Sequence, residues 1–497
     1  MAVKRVTLAP FDERPSPAFT ARYPEIINPN RLHPDARALM EPRWIKGKFD
    51  EQPVKIFHLK DVFVTAENLI LDRQFQFIEN ACDLYSDTEL ATALANIQRQ
   101  FDAGRLIQHR SGILAKRRAA SNYGHFLMEM LPMAIIGEPY FHDRDHWHVV
   151  HRVDPPLQDV MFRAFRLLGF PLSRLLVTDA DEVVHFEELI VVRGLTEHGY
   201  YMSPLCVQVV ETLGAMIPAG VKRKLFIRRR PGWNRGRSLL NEDELSARLA
   251  AKGFAVAEPG SMTLEQQISL FRGASHVIGV SGAAMTNIVF CNPDTKITLL
   301  VPDRFPDIFF WLIAAHKRLH YVELRAEQKA ADGDDHWKAD FSLSESDIRY
   351  LEDNPSATQP VPHVIATAHI QNIGDVVAGP HEWIGTPGSG RWVEGFSITP
   401  QDDITNDEIE YQAVLGANSV SSWIKGGILC GTRGLSQPLL GFRIRLLGSA
   451  AQRYDCHYAA TFLDGSSKTS IPAGALCVSD SLAPLEAFQI TLTRRAV

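Results

Sequence analysis

A chain of 497 residues is too long for one hydrophobic core, so two or three domains are expected. Apolar residues make up 45% and charged residues 22%, the profile of a globular chain able to bury several cores. The net charge of −6 supplies no broad cationic field, which excludes nucleic acid as the expected partner and makes any basic site a local one.

The six cysteines (82, 206, 291, 430, 456 and 477) are scattered without a CxxC pair, the pattern of reduced thiols in a cytosolic protein. The N-terminal MAVKRVTLAPFDERPSP has no apolar leader core, and no run of about 18 apolar residues occurs. A cytoplasmic location is expected, with membrane association limited to peripheral contact at the inner face. No oligomeric state follows from the sequence.

Residues 1–53, rich in Pro and Arg with little periodicity, read as an irregular arm. Residues 54–216 mix β-like runs (VFVTAENLIL, HWHVVHRV, ELIVVRGL) with helical stretches such as LQDVMFRAFRLLGF, an α/β first lobe. Within it, SNYGHFLMEMLPMAI (121–135) puts His125 and Glu129 four residues apart on one helical face. A histidine beside a carboxylate suits a general base; it equally suits a structural pair that satisfies itself in a core. His142, His146, His148 and His151 crowd one segment, which reads as a polar edge strand or a metal site. The triplet Asp179-Ala180-Asp181 has the form of a metal–diphosphate motif and precedes no obvious site.

Residues 217–353 alternate regularly. Strands KLFIRR, FAVAEP, HVIGV, KITLLVP and HYVEL are separated by helices NEDELSARLAAKG, TLEQQISLFRGA, AAMTNIVF and DIFFWLIAAHKRL. Asn241 with Glu244, and Thr263 with Gln266, have capping-box spacing, and Gly253 should end the first helix. Apolar strands alternating with amphipathic helices predict a parallel, Rossmann-like sheet with its ligand edge beyond the strand carboxyl ends. Two features fall on that edge. Lys224, Arg228, Arg229, Arg230, Arg235 and Arg237 bunch after the first strand, either a solvated loop or a diphosphate grip. Ser281-Gly282-Ala283 follows the third strand and opens a helix, where backbone N–H groups favour an anion.

A Pro-rich linker (354–366) leads to residues 367–497, where the helical pattern ends and a 46-residue repeat begins. VEGFSI (393–398), LLGFRI (439–444) and LEAFQI (485–490) align through Phe396, Phe442 and Phe488. GTPG (385–388) and GTRG (431–434) keep the same offset, while the third copy has CVSD. Three short units that bury a core only together predict an all-β three-repeat module.

NYGHFLMEMLP, FIRRRPGWNRGRSLLNEDEL, GFAVAEPGSMTLEQQISLFRGASHVIGVSGAAMTNIVF and HWKADFSLSESDIRYL together resemble the family 61 glycosyltransferases, the DUF563 group, over roughly residues 55–353. The resemblance implies a two-lobed GT-B-like fold and inverting, metal-independent transfer from a nucleotide-diphosphate sugar to a glycan hydroxyl, with no cofactor. Capsular or cell-surface polysaccharide synthesis is the setting it suggests. By position it implies donor-site roles for Arg229, Arg237, Asn241, Gln267, Ser281, Gly282, Ala283 and Asn287, with His125 or Glu129 as base. Ser281 stands where the family commonly has histidine, and Phe126 where it has tryptophan. The C-terminal repeats resemble clostridial hydrophobic-tryptophan (ChW) repeats, which implies a glycan-interaction module; Trp383, Trp392 and Trp423 could stack on sugars or pack internally. The rival readings are a non-catalytic glycan-binding protein on a degenerate transferase scaffold and, more remotely, a metal-dependent hydrolase built on the histidine cluster.

Overall fold

The computed structural model describes residues 4–65, 68–83, 85–118, 121–141, 145–179, 182–197, 199–229, 236–329, 339–353, 363–380, 382–401, 404–417 and 419–495. His142, Arg230, Arg235, Ala180 and Asp181 lie outside them, as does most of the expected linker. The chain divides into two compact units, residues 1–40 with 48–358, and residues 41–47 with 359–497.

The first unit holds two open sheets. In the first, strands β1 (Gln52–Val64), β2 (Ile107–Leu114), β3 (Trp147–His151), β4 (Leu175–Thr178) and β5 (Val184–Arg193) lie in the order β1-β5-β2-β3-β4. β5, β2, β3 and β4 run parallel to one another, and β1 is antiparallel to β5. Strand β3 therefore lies between two parallel neighbours, not at an edge as expected. Its neighbours and an aromatic surround, rather than water, enclose its histidines.

The second sheet is parallel throughout. Strands β6 (Arg223–Ile227), β7 (Phe254–Ala257), β8 (Ala274–Val280), β9 (Lys296–Pro302) and β10 (His320–Ala326) lie in the order β7-β6-β8-β9-β10. Every residue of β9 and β10 is buried, as strands covered on both faces should be. On one face, Leu245 and Leu249 of helix α2 (Glu242–Ala251) and Ile348 and Leu351 of helix α5 (Glu345–Asp353) pack with Phe226, Ile278, Leu300 and Leu324. Between them in the chain come α3 (Leu264–Arg272) and α4 (Phe309–Lys317), and α1 (Pro155–Leu167) belongs to the first lobe.

Local signals were kept or displaced for identifiable reasons. Thr263 and Gln266 form the reciprocal capping box, and Gly253 follows α2 at φ +83°. Asn241 does not cap α2 through its side chain, because its amide pairs with both backbone groups of Leu343 at 3.0 and 3.1 Å. AAMTNIVF is a 3₁₀ segment, Ala283–Phe290, rather than an α-helix. The N-terminal arm is not irregular. Asp12–Ser16 pairs antiparallel with β1, and Glu25–Ile27 extends the second sheet beside β10. Strands of three to five residues at a sheet edge leave too little periodicity to read in a sequence.

The second unit builds three antiparallel sheets from the three repeats. The first is centred on β11 (Val364–Ile370), β12 (Gly374–Ala378) and β13 (Val393–Pro400), the second on β14 (Ile409–Gly416) and β16 (Gly441–Leu446), the third on β17 (Tyr454–Phe462), β18 (Ser467–Pro472) and β20 (Leu485–Arg494). Each borrows a short outer segment from another repeat: β15 (Cys430–Gly431) pairs with β13, β19 (Cys477–Val478) with β16, and Ile384 bridges Phe488 of β20. Phe396, Phe442 and Phe488 meet at the centre, with ring centroids 4.9 to 5.8 Å apart. Their edge-to-face and tilted packing accounts for the spacing of the repeat.

A carboxylate secures two of the three borrowed turns. Glu394 accepts from the N–H groups of Leu435 and Ser436 at 3.0 and 3.2 Å, and Glu486 accepts from Gly388 and Gly390, both at 2.8 Å. The corresponding residue of the middle repeat is Leu440, and the turn it would hold is the one that reads CVSD instead of GTxG. Replacing Glu486 with Ala removes two charge-assisted hydrogen bonds and is expected to destabilise this unit by about 2 kcal/mol. Hydrogen exchange on the full chain should show faster exchange at the amides of Gly388 and Gly390.

Candidate functional site

The sheet order of the second lobe contains one switch point, between β6 and β8, where successive connections leave in opposite directions. Ligands of open parallel sheets bind beyond the strand carboxyl ends at such a point. A cavity of about 640 Å³ lies there. Its walls include Arg228 and Arg229 after β6, Gly260 to Thr263 after β7 and Gly282 to Ala284 after β8. The first lobe completes it with Ser121 to Tyr123 and with Asp154, Leu157 and Val160 at the start of α1.

Arg229 ties the switch point together. Its Nη1 donates to the carbonyl of Gly236 at 2.6 Å and its Nη2 to that of Ser281 at 2.5 Å. Gly282 leaves room for this approach, since a Cβ there would lie 2.7 Å from Arg229 Nη2 and displace the guanidinium. Arg237, at φ +59°, stacks its guanidinium 4.1 Å from the centroid of Phe305 and buries an Nε that has no hydrogen-bond partner. Burial and the neighbouring Arg237 charge pull the Arg229 pKa down to about 10, and burial lowers that of Arg237 against the opposing charge of Asp307. Two cations thus line one cavity, with Glu242 and Asp340 opposing the shift of Arg229 and Asp307 that of Arg237, and an anion there would offset the cost of burying them. Of the other described residues of the basic run, Arg228 pairs with Glu242 and Asp243, and Lys224 donates to the carbonyl of Lys252.

The other candidates divide sharply. Gln267 lines the cavity and is fixed by Met262 and Asn287. Asn287, fully buried, accepts from the Tyr123 hydroxyl at 2.7 Å and donates to Gln267 at 2.9 Å, joining the first lobe to the second. Ala283 is exposed on the wall. Ser281 and Asn241 are not on it; the Ser281 hydroxyl is buried without a partner, and the Asn241 amide is engaged by Leu343.

His125 and Glu129 do not line the cavity either. Asn122 caps a single α-turn, Tyr123–His125, by accepting from the N–H groups of Gly124 and His125. The chain then widens into a π-helical stretch, Phe126–Met130, all of it buried. His125 Nδ1 lies 3.1 Å from Glu129, which also faces Arg117 at 3.3 Å. Burial raises the Glu129 pKa, but His125 and Arg117 outweigh it and the net shift is downward. Tyr123, two residues earlier, is the part of this helix that reaches the cavity.

His146 and His148, each 2% exposed, both place Nε2 against one oxygen of Glu138, at 2.9 and 3.0 Å, beneath Phe141, Phe165 and Phe170. Among the described residues this is the cluster with metal-ligand spacing, its ligand atoms within 4.8 Å of one another, and none of the three lines the cavity. Asp179 is paired with Arg152. All six cysteines are buried and unpaired, and no helix among the described residues is long and apolar enough to cross a membrane. In the second unit Trp383 is 36% exposed, Trp392 is half-buried, and Trp423 is covered by Arg445 and Arg443 at 3.8 and 4.9 Å from its ring.

Comparison with known families bears on this geometry. Residues 123–298 match the model of the Glycosyltransferase 61 family. The central segment is a family 61 glycosyltransferase region. That region begins at Tyr123, ends within β9, and so contains both arginines, the Gly282 turn and the Asn287 bridge. No curated protein matches the chain. The family 61 region also includes Asp154, which sequence reasoning passed over. Its signal was present in Asp154-Pro155-Pro156, where the second proline removes one of the two N–H donors that a capping aspartate ordinarily uses.

The histidine cluster gives a pH-dependent prediction. Burial raises the Glu138 pKa, but the hydrogen bonds and charges of His146 and His148 prevail and hold it at about 2. Against an unfolded value of about 4.3, the stabilisation is fully present above that pH and is lost as pH falls toward about 2. Glu138→Gln should melt below the wild type at pH 6, and the gap should narrow as the pH is lowered from 4 toward 2.

Proposed function

We propose that this chain is an inverting, metal-independent glycosyltransferase of GT-B-like, two-lobed design. It moves a sugar from a nucleotide-diphosphate sugar to a hydroxyl of a glycan acceptor, in capsular or cell-surface polysaccharide synthesis. The observation that carries this reading is that Arg229 and Arg237 line one cavity at the switch point, with Arg229 bonded to the Ser281 carbonyl beside Gly282. A diphosphate leaving group develops negative charge as the glycosidic bond breaks, and preorganised guanidinium groups stabilise that charge without a metal. The open end of the 3₁₀ segment at Gly282–Ala283 adds backbone N–H groups to the same place.

In this reading Asn287 and Gln267 serve the donor site by holding its walls, and Asn241 by fixing the segment around Leu343. The acceptor enters from the side of Tyr123 and α1. The second unit, if its repeats act as their resemblance implies, meets glycan through Trp383, since Trp423 already carries arginines on its ring. The alternative, a non-catalytic glycan-binding protein on the same scaffold, is favoured by the position of His125 and Glu129 off the cavity wall.

A panel of UDP, GDP, CDP and dTDP in thermal-shift measurements tests the donor site. A nucleotide at 100 times its Kd should add about 2.7 kcal/mol of stability. Arg237→Ala, which removes a cation lining the cavity, should weaken that nucleotide by 10- to 100-fold, and Arg237→Lys should restore only part of it. Gly282→Ala should weaken it as well, by displacing the Arg229 fork. Nucleotide binding without turnover of any nucleotide sugar would favour the scaffold reading.

A further inference from the structure

One carboxylate in the cavity has no structural employment. Asp154 is the N-cap residue of α1, and its carbonyl accepts the N–H of Gln158 at 3.0 Å to start the helix. An aspartate there ordinarily turns its carboxylate back onto the N–H of the second or third helical residue. Here it makes no such bond, and the first two helical positions are Pro155 and Pro156, which have no N–H to offer. Its Oδ2 is buried and has no hydrogen-bond partner among the described residues, yet the residue lines the same cavity as Arg229 and Arg237. A carboxylate oxygen withdrawn from water without a donor is unfavourable, so such a position points to a ligand that supplies one.

The other groups on the wall that could take a proton are engaged. Asp159 accepts from Arg163 at 2.6 Å, the Tyr123 hydroxyl donates to Asn287, and Ser261 donates to the carbonyl of Glu258 at 2.8 Å. Asp154 also stands on the correct side. The arginines belong to the second lobe, whereas Asp154 follows the carboxyl end of β3 in the first. Among the described residues, the charged groups sharing the cavity with it are Arg228, Arg229 and Arg237 from the second lobe and Asp159 on its own helix.

We propose that Asp154 is the general base of the transfer, the role the sequence suggested for His125 or Glu129. This rests on the transferase reading and deepens it. The acceptor O–H proton passes to Asp154 Oδ2 as the acceptor oxygen bonds to the anomeric carbon. The bond from that carbon to the phosphate oxygen breaks, and its electron pair leaves with the nucleoside diphosphate held by the arginines. The reaction balances without a metal or further reactant. With water as acceptor the same step is donor hydrolysis, which makes the proposal measurable before the natural acceptor is identified.

The test uses the full chain and the variant Asp154→Asn, with release of nucleoside diphosphate from UDP-xylose, UDP-arabinose, UDP-N-acetylglucosamine and GDP-mannose as the readout. The variant should melt as the wild type does and keep its thermal shift with the nucleoside diphosphate. Its turnover should fall at least about 100-fold, within the usual range for loss of a general base. The acidic limb of the wild-type pH–rate profile should be absent, and formate should restore part of the turnover of Asp154→Ala. Turnover of Asp154→Asn within threefold of the wild type would overturn this proposal and leave the donor site standing. Failure of the wild type to bind any nucleoside diphosphate would instead remove the donor site, and the base with it.

Discussion

The first unit depends on one guanidinium placed between two strand ends. Arg229 leaves β6 and bonds to the carbonyl that follows β8, so the two loops flanking the switch point cannot separate without breaking a charge-assisted hydrogen bond. The contact constrains the residue beside it, because a Cβ at position 282 would push against the Arg229 guanidinium. It also sets the electrostatics, because fixing one arginine there while Arg237 approaches from the following loop concentrates positive charge in a half-enclosed space. Fold and candidate chemistry share a single cause at this point.

Several residues that resemble ligands in the sequence turn out to be joinery. Asn287 links Tyr123 to Gln267, and Asn241 clips the backbone of Leu343 beside α2. A buried side-chain amide can donate and accept at once, which suits it to fasten two segments of chain. The Tyr123–Asn287 contact holds the two lobes together beside the cavity, a precondition for any chemistry that needs groups from both.

The regular parts of the fold were legible because they follow simple periods. The five strands and the helices α2, α3 and α4 of the second lobe fall where apolar runs and amphipathic stretches predict them, and the Phe396, Phe442 and Phe488 spacing announced the three-part core. The misreadings arose where a tertiary partner overrode a local rule. The Asn241 amide found Leu343 instead of its own helix, and the histidines of β3 were taken for an edge because nothing local reveals which strands will lie on either side. His125 and Glu129 do meet, as their spacing required, but spacing cannot say which side of a helix faces a cavity. Asp154 was overlooked because an aspartate before a helix is so commonly a cap, and only the two prolines after it argued otherwise.

The three-sheet unit has a topological property of its own. Each sheet takes its outer segment from a different repeat, and the last exchange returns to the first. The arrangement is therefore a closed circuit of lendings, in which no repeat owns a complete sheet. Such a circuit can in principle be opened at any surface loop and its old ends joined, because the same exchanges re-form. It cannot be shortened: deleting one repeat strands a lender on one side and a borrower on the other, exposing two sheet edges and emptying one corner of the aromatic triangle. Growth or loss of this module by single repeats, common in open-ended solenoids, is closed to it.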